Sequence, residues 1–343
     1  MTIARNKQIK KQQNFHVHVI NRVMRKAFLF GEDEMGNNFD HRRQWVVDRI
    51  DFLVKSFAIE VSAYAVMSNH YHLVLYVNYE QSLTWDAKEV VQRWWKIFPP
   101  KMMKEETSDD IIAFHLDRLA ADEEQVAIWR ARLADLAWFM KSLNEPIARM
   151  VNQEDGCTGR FWEGRYKSQL LLDGAALMAC MAYVDLNPIR AKMADTPEQS
   201  DYTSIASRIA ERHHEKSALK PELIEPVKKT QLMPFATCQQ EILKKMIQDT
   251  DSPCLPIQRD DYFKLVEWTG RCIKEGKKGR IPSHLAPILQ RLEINEAQWV
   301  DGVEHYGSRF YSVVGVLRRV MDETIEQGVC WFRGQKAARL LFK

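Results

Sequence analysis

Residues 59–77, IEVSAYAVMSNHYHLVLYV, predict two β-strands joined by the turn signal Ser68-Asn69. The second strand, at about 70–77, carries two histidines in the pattern HYH. Successive side chains of a strand point to opposite faces, so His70 and His72 project together. Two imidazoles on one face of an apolar strand are either hydrogen-bonded to their surroundings or bound to a shared divalent metal.

The residues before these two strands predict a further strand and a helix. Residues 15–24, FHVHVINRVM, alternate in the manner of a strand. Asp40 is placed to cap a helix whose apolar positions Val46, Ile50 and Leu53 recur at helical spacing. The order strand, helix, strand, strand is most simply an α+β fold that has an antiparallel sheet with helices on one face.

The residues after the two strands have mostly helical patterns. Helical periodicity covers about 80–145, and residues 160–172, RFWEGRYKSQLLL, predict another strand. Asp173 then predicts the cap of a helix that reaches about Asn187 and that the next residue, a proline, ends.

The composition predicts a globular protein without a membrane segment. Of the 343 residues, 45% are hydrophobic and 28% are charged. No apolar run approaches the ~20 residues that a membrane-spanning helix needs. The six cysteines are scattered without a C-x-x-C pair, which argues against a zinc ribbon or a redox motif and favours a reducing, cytoplasmic setting.

Positive charge is concentrated in two blocks, although the net charge is only +3. Residues 1–26 carry seven Lys or Arg, among them Arg22, and no Asp or Glu. Residues 271–280 form the second basic run. Such blocks suit contact with a phosphate backbone, although a solvated tail or loop has the same composition.

A second histidine pair, His16 and His18, has the same spacing and is the rival metal site. His18 could lie on a neighbouring strand of the same face. We favour His70 and His72 because the turn before them defines the start of their strand. We therefore predict that His16 and His18 do not form the principal metal site.

Tyr183 is the candidate nucleophile on the helix that follows Asp173. It precedes Asn187 by four residues, so the two side chains share one face of the helix. A phenol with a pKa of about 10 is a poor nucleophile. It can attack phosphorus when a metal offsets the charge on the phosphate oxygens. An isolated helical tyrosine is more often a packing residue, and only the histidine pair favours catalysis here.

Several segments, in this order, resemble the insertion-sequence single-tyrosine transposases, and specifically the REP-associated tyrosine transposases. They are the basic N-terminal strand, the helix after it, and the sequences NHYHLVL, GRFWEGRYKSQLL and AYVDLNPIRA. The resemblance covers about 14–210 and implies a ferredoxin-like or RRM-like sheet. It also implies that His70 and His72 bind the metal, that Tyr183 is the catalytic nucleophile, and that Asn187 is the third metal ligand.

The resemblance further implies metal-dependent nicking and strand transfer on single-stranded or hairpin DNA, at hairpin-forming repeats, through a 5′-phosphotyrosine. The metal would be Mg or Mn, and the protein would work at the nucleoid as a monomer or a homodimer. The expected DNA contacts are basic side chains: Arg22, Arg160, Arg165, Lys167 and Arg190. The chain lacks the glycine motifs that bind nucleotides, as expected for a reaction that conserves the phosphodiester energy.

The predicted domain division has three parts. Residues 1–215 form the catalytic domain, with a helical insertion at about 85–140; residues 216–256 form a linker, and 257–343 form a mostly helical, basic extension. Three other functions stay open. The chain could be a transposase-derived DNA-binding regulator without strand transfer, an RRM-like RNA binder, or a two-histidine phosphoesterase, which would need a second His-x-Ser/Thr motif that the sequence lacks.

Overall fold

The computed structural model describes residues 12–24, 36, 38–104, 108–217, 231–238, 241, 254–275, 282 and 284–343. The basic segment before residue 12, most of the predicted linker and the end of the second basic run lie outside the described residues. The boundaries predicted for the linker therefore stay predictions.

A five-stranded sheet forms the centre of the described protein. Its strands are β1 (Phe15–Arg22), β2 (Ile59–Val66), β3 (His70–Val77), β4 (Lys167–Leu171) and β5 (Val313–Val314). Their order is β2-β3-β1-β4-β5. β3 pairs antiparallel with β1 and β2, β4 pairs antiparallel with β1, and β5 adds a short parallel strand at the edge. The predicted α+β class is confirmed, and the first four strands have the order of a ferredoxin-like sheet.

Helices account for most of the remaining described chain. In order they are α1 (Asp40–Val54), α2 (Tyr79–Thr84), α3 (Ala87–Ile97), α4 (Asp109–Ala120), α5 (Glu123–Leu133), α6 (Leu136–Glu154), α7 (Gly174–Asp185), α8 (Asn187–Arg190), α9 (Ser204–Ser217), α10 (Arg259–Lys274), α11 (Ala286–Arg291), α12 (Trp299–Glu304), α13 (Tyr306–Arg309), α14 (Leu317–Glu326) and α15 (Gln335–Leu341). No helix of the described chain combines the length and the apolar character that crossing a membrane requires.

One face of the sheet, which we call the apolar face, carries Val17 and Leu73. It packs against α1 through Ile50 and against α6 through Phe139, in one buried cluster. The helices α3 and α5 of the predicted insertion contribute to the same cluster. This layer corresponds to the helices that the sequence predicts on one face.

The opposite face, which we call the histidine face, is also covered by helices. Val74 of β3 lies in a second buried cluster together with Leu177 of α7, Val266 of α10 and Trp299 of α12. The protein thus has helices on both faces, whereas the sequence predicted them on one. The reason lies in α7, whose residues from 175 to 185 are all buried and which therefore needs partners on every side.

Asp173 joins α7 to the added strand β5. One of its carboxylate oxygens accepts a hydrogen bond from the backbone N–H of Ala176 at 2.8 Å, which is the predicted cap. The other oxygen accepts one from the backbone N–H of Val316 at 2.7 Å, just after β5. The predicted cap residue of α7 therefore also anchors the C-terminal part of the chain.

Two further details of the sheet depart from the predicted pattern. β4 begins at Lys167, and the preceding residues pair with the end of β1 only by an isolated bridge between Val23 and Trp162. The outer edge of β2 receives single bridges from Thr203 and Leu232.

Candidate functional site

His70 and His72 both project from β3 onto the histidine face, as the sequence predicts. Their ring centroids lie 4.9 Å apart. In the register of the sheet His70 is opposite Arg22 and His72 is opposite Ile20. His72 is 2% exposed, whereas His70 is partly exposed. The pair therefore extends from the open end of this face into the core.

A third histidine from β1 contacts the pair. His18 Nε2 lies 3.0 Å from His72 Nδ1, and His18 Nδ1 lies 3.2 Å from the side-chain oxygen of Gln169 on β4. His16, one pleat further along β1, packs against Tyr76 with the two rings tilted and their centroids 4.6 Å apart. The rival histidine pair is thus divided between two environments, and only His18 belongs to the candidate site.

Burial keeps these imidazoles neutral at neutral pH. It lowers the pKa of His18 to about 4, because desolvation outweighs the hydrogen bond with Gln169. Burial and then the nearby Arg22 charge lower the pKa of His70 to about 4. The pKa of His72 lies well below its ordinary value because of burial first and the neighbouring histidines second. Neutral imidazole is the form that binds metals.

Tyr183 packs directly against this histidine group. Its ring meets the His72 ring edge-on, with centroids 5.5 Å apart, and lies 6.1 Å from the ring of His18. The guanidinium of Arg190 lies 4.6 Å from the centre of the Tyr183 ring. The helix α7 thus brings the phenol of Tyr183 to the histidine pair, although the two are more than 100 residues apart in sequence. Helical and strand periodicity alone do not predict a contact at that separation.

Asn187 is the first residue of the short helix α8, so it does not share one helix with Tyr183 as the sequence predicted. Its side chain is buried, and its Nδ2 has no hydrogen-bond partner among the described residues. A half-turn of the amide would place Oδ1 at that position, since the two atoms differ little in shape. Its role as the third metal ligand stays a prediction.

One atom of the site in particular is available to bind a divalent metal. His72 Nε2 is buried and has no hydrogen-bond partner within the described chain. No group of three or more His, Cys, Asp or Glu in the described residues is arranged to hold a metal. A metal here would therefore need the two imidazoles of His70 and His72 with an amide or DNA oxygen, a donor set that suits Mn better than Mg.

A segment of the predicted C-terminal extension covers Tyr183. The Tyr306 ring stacks on the Tyr183 ring with centroids 5.0 Å apart. A methyl group added at Gly307 would lie 2.6 Å from the Tyr183 hydroxyl oxygen. The backbone oxygen of Glu304 accepts a hydrogen bond from Arg190 Nε at 3.0 Å. We call residues 304–307 the covering segment; the sequence contains no motif that marks it.

Comparison with known proteins gives a distant match. No family model matches the chain, and no curated protein matches it. The solved structure of a REP-associated tyrosine transposase bound to a REP hairpin is similar to this chain at 11% identity, with a TM-score of 0.35, over 69% of this chain and 100% of that chain. A TM-score of this size establishes no shared fold, and the chemistry of the site depends on the side chains of this protein.

The basic residues predicted to contact DNA fall into two groups. Arg22 of β1 and Lys167 of β4 are exposed, and their side chains lie on the histidine face of the sheet. Arg190 is partly exposed beside Tyr183. Arg160 and Arg165 are exposed in the loop before β4. The first group surrounds the open end of the candidate site, whereas the second precedes the strand that carries Gln169.

Proposed function

We propose that the protein nicks single-stranded DNA and rejoins it through a covalent bond between Tyr183 and a 5′ phosphate. The observation that carries this proposal is the packing of the Tyr183 ring against His72 at 5.5 Å. A phenol, neutral imidazoles and a guanidinium meet at one end of the histidine face. These groups match the needs of phosphoryl transfer, which are a nucleophile, metal ligands and a cation for the phosphate.

His70 and His72 are the residues that would hold a divalent metal, with Asn187 as the proposed third ligand. The unpartnered His72 Nε2 supports this assignment, because a buried acceptor without a donor is costly unless something binds it. Bound there, Mg or Mn would offset negative charge on the oxygens of the scissile phosphate.

The proposed reaction forms one bond and breaks one. The Tyr183 hydroxyl oxygen attacks phosphorus, and the bond from phosphorus to the 3′ oxygen of the preceding nucleotide breaks. The phenolic proton is released to water, and the departing 3′ oxygen takes up a proton to give a free hydroxyl group. A 3′ hydroxyl can later reverse the step, so the reaction needs no nucleotide cofactor.

DNA contacts are proposed at the open end of the histidine face. Arg22, Lys167 and Arg190 would bind phosphates next to the site, and Arg160 and Arg165 would bind further along the strand. Each phosphate contact with single-stranded DNA should add about −0.7 to the slope of log affinity against log salt. A hairpin with single-stranded flanks is the proposed partner.

The covering segment favours a second candidate function. Tyr183 is 7% exposed, and Gly307 lies against its hydroxyl. In the proposed reaction, residues 304–307 would move away to admit the phosphate to that oxygen. A chain in which this movement never occurs would be a DNA-binding regulator that does not cut.

The experiment that tests the proposal is a search for a covalent protein–DNA adduct. Full-length protein is incubated with Mn²⁺ and a pool of labelled single-stranded oligonucleotides that fold into hairpins with flanks. Denaturing gels should reveal an adduct with the wild type and none with Tyr183→Phe, which lacks only the attacking oxygen. Hairpin binding should be the same for both proteins, because binding depends on other contacts.

Tyr202→Phe is the control, because Tyr202 is partly exposed after the helical region and packs beneath Arg43. Its adduct yield should equal that of the wild type. Removing the metal with a chelator should abolish the adduct, and added Mn²⁺ should restore it. Binding without any adduct in the wild type would favour the regulator, and an adduct with Tyr183→Phe would reject Tyr183 as the nucleophile.

A further inference from the structure

Two hydrogen bonds link His72 to residues that the sequence does not assign to the site. His18 Nε2 is 3.0 Å from His72 Nδ1, and His18 Nδ1 is 3.2 Å from Gln169 Oε1. His18, His72 and Gln169 are all buried. We infer that His18 and Gln169 are positioning residues that fix which nitrogen of His72 carries the proton, and so leave its Nε2 lone pair available to a metal.

The direction of each hydrogen bond follows from the last acceptor in the series His72, His18, Gln169. The carbonyl oxygen of Gln169 has no proton, so His18 Nδ1 must donate to it. A neutral His18 then has a bare Nε2, which can only accept. His72 Nδ1 must therefore donate to His18, and the second ring nitrogen of a neutral His72 carries no proton.

The other metal-site histidine has the same arrangement with a different partner. His70 Nδ1 lies 2.7 Å from the side-chain oxygen of Asn69 in the turn before β3. That oxygen also accepts, so His70 keeps its proton on Nδ1 and a bare Nε2. Both histidines would thus present Nε2, although one is oriented by its neighbour in sequence and the other by two different strands.

The identity of the end group decides the outcome. If the Gln169 amide presented its nitrogen to His18, both hydrogen bonds would change direction. His72 Nε2 would then carry a proton and could not bind a metal. The same reasoning separates His18 from the metal ligands, since its Nε2 is used by His72. This inference rests on the proposed function, because a free lone pair on His72 Nε2 is useful only if a metal binds there.

The first test reads the proton positions directly in the metal-free, full-length protein. Nitrogen NMR of ¹⁵N-histidine-labelled protein distinguishes a protonated ring nitrogen from a bare one. We expect His72 and His18 to carry their protons on Nδ1. A His72 protonated on Nε2 would overturn the inference. This readout does not depend on metal binding or on DNA cleavage.

The second test measures Mn²⁺ affinity by electron paramagnetic resonance. His18→Phe keeps a ring of similar size but removes the acceptor, and should weaken Mn²⁺ binding by about 10–100-fold, as loss of an outer partner does in other metal sites. His16→Phe is the control, since His16 lies on the same strand and face but packs against Tyr76. Its Mn²⁺ affinity should equal that of the wild type.

Each remaining result decides between the possibilities. An unchanged affinity in His18→Phe would overturn the inference, and complete loss of Mn²⁺ would make His18 a ligand instead of a positioning residue. If His18→Phe does not fold, Gln169→Met removes the terminal acceptor and should give the same weakening. A wild type that binds no Mn²⁺ at all would reject the metal site of the proposed function, while the NMR result would still decide the proton positions.

Discussion

At the scale of single residues, the packing around Tyr183 depends on one missing side chain. A Cβ at Gly307 would meet the Tyr183 hydroxyl oxygen at 2.6 Å and its ring carbon Cζ at 3.3 Å. The first distance is far inside ordinary contact, whereas the second requires only a small shift. The hydroxyl that we propose as the nucleophile is therefore also the atom that limits the size of residue 307.

Gly307→Ala should lower the free energy of unfolding by about 1–3 kcal/mol, because the added methyl overpacks a buried contact. In the Tyr183→Phe background the same substitution should cost less, because the oxygen that it meets is gone. A double-mutant cycle measured by urea unfolding gives this coupling. Gly164→Ala, whose added methyl has nothing within 4 Å, is the control and should be nearly neutral in both backgrounds. Equal losses in both backgrounds would contradict the described contact.

The histidine pair illustrates what residue-level reasoning from sequence can reach. Strand alternation places His70 and His72 on one face, and the structure agrees. The contact between His18 and His72 is different, because it depends on the register in which β1 pairs Ile20 with His72. A slip by one residue would turn His18 to the apolar face. Nothing in the local sequence sets that register, so the sequence allowed this contact without predicting it.

At the scale of elements, the cap of α7 was predicted, but its end and its surroundings were not, because Asn187 and Pro188 belong to the next helix, α8. Asp173 caps it as expected, and the helix spans Gly174–Asp185. A helix at the surface buries one stripe, whereas every residue of α7 from 175 to 185 is buried. The covering layer includes Trp299 and Tyr306, which are more than 100 residues further along the chain. Local periodicity does not indicate packing partners that lie so far away in sequence.

Asp173→Ala should be unusually destabilising for the loss of a helix cap. It removes the cap of α7, which is worth roughly 0.5–2 kcal/mol, and leaves the N–H of Val316 without its acceptor, which costs about 1–3 kcal/mol more. Urea unfolding should therefore give a loss of about 1.5–5 kcal/mol. Asp122→Ala, which removes the single capping bond of α5 to Gln125, should cost only about 1 kcal/mol. Equal losses at the two caps would argue against the link between α7 and β5.

One strand was not predicted and another is shorter than predicted, and both differences have the same cause. β5 consists of only Val313 and Val314, too short to show alternation. The predicted strand 160–172 has strand-like composition throughout, yet only Lys167–Leu171 pairs as a strand, because residues before it contact β1 by a single bridge. Strand boundaries depend on the partner available at each position, and the partner is a property of the whole sheet.

At the scale of the whole molecule, the sheet separates two buried clusters of different origin. The cluster on the apolar face comes from the strands and the helices between residues 40 and 154 together with a few later residues. The cluster on the histidine face combines α7 with side chains from α10, α12 and α13. The C-terminal extension is thus packed onto the candidate site in the described structure. Its sequence is helical and basic, which predicted its secondary structure but not its position.

Hydrogen exchange should detect movement of the covering segment if the proposed reaction occurs. Amides of Ser308, Arg309 and Phe310 bond to carbonyls within residues 305–306. With hairpin DNA and Mn²⁺ bound to Tyr183→Phe, which cannot react, these amides should exchange faster because the phosphate displaces the segment. Amides of β1 and β3 serve as the control and should keep their protection. If wild-type protein forms an adduct while the protection of 308–310 is unchanged by DNA, the covering segment does not gate access to Tyr183.

The margins of the sheet bear on how the protein behaves in a crowded solution. On one side, Thr203 and Leu232 bridge to the outer backbone of β2; on the other, the sheet ends in a strand of two residues. An exposed, long and flat strand invites a second chain to pair with it and begin a fibril. Neither edge of the described sheet offers such a row of unpaired backbone groups, because one edge is bridged by other segments and the other is only two residues long.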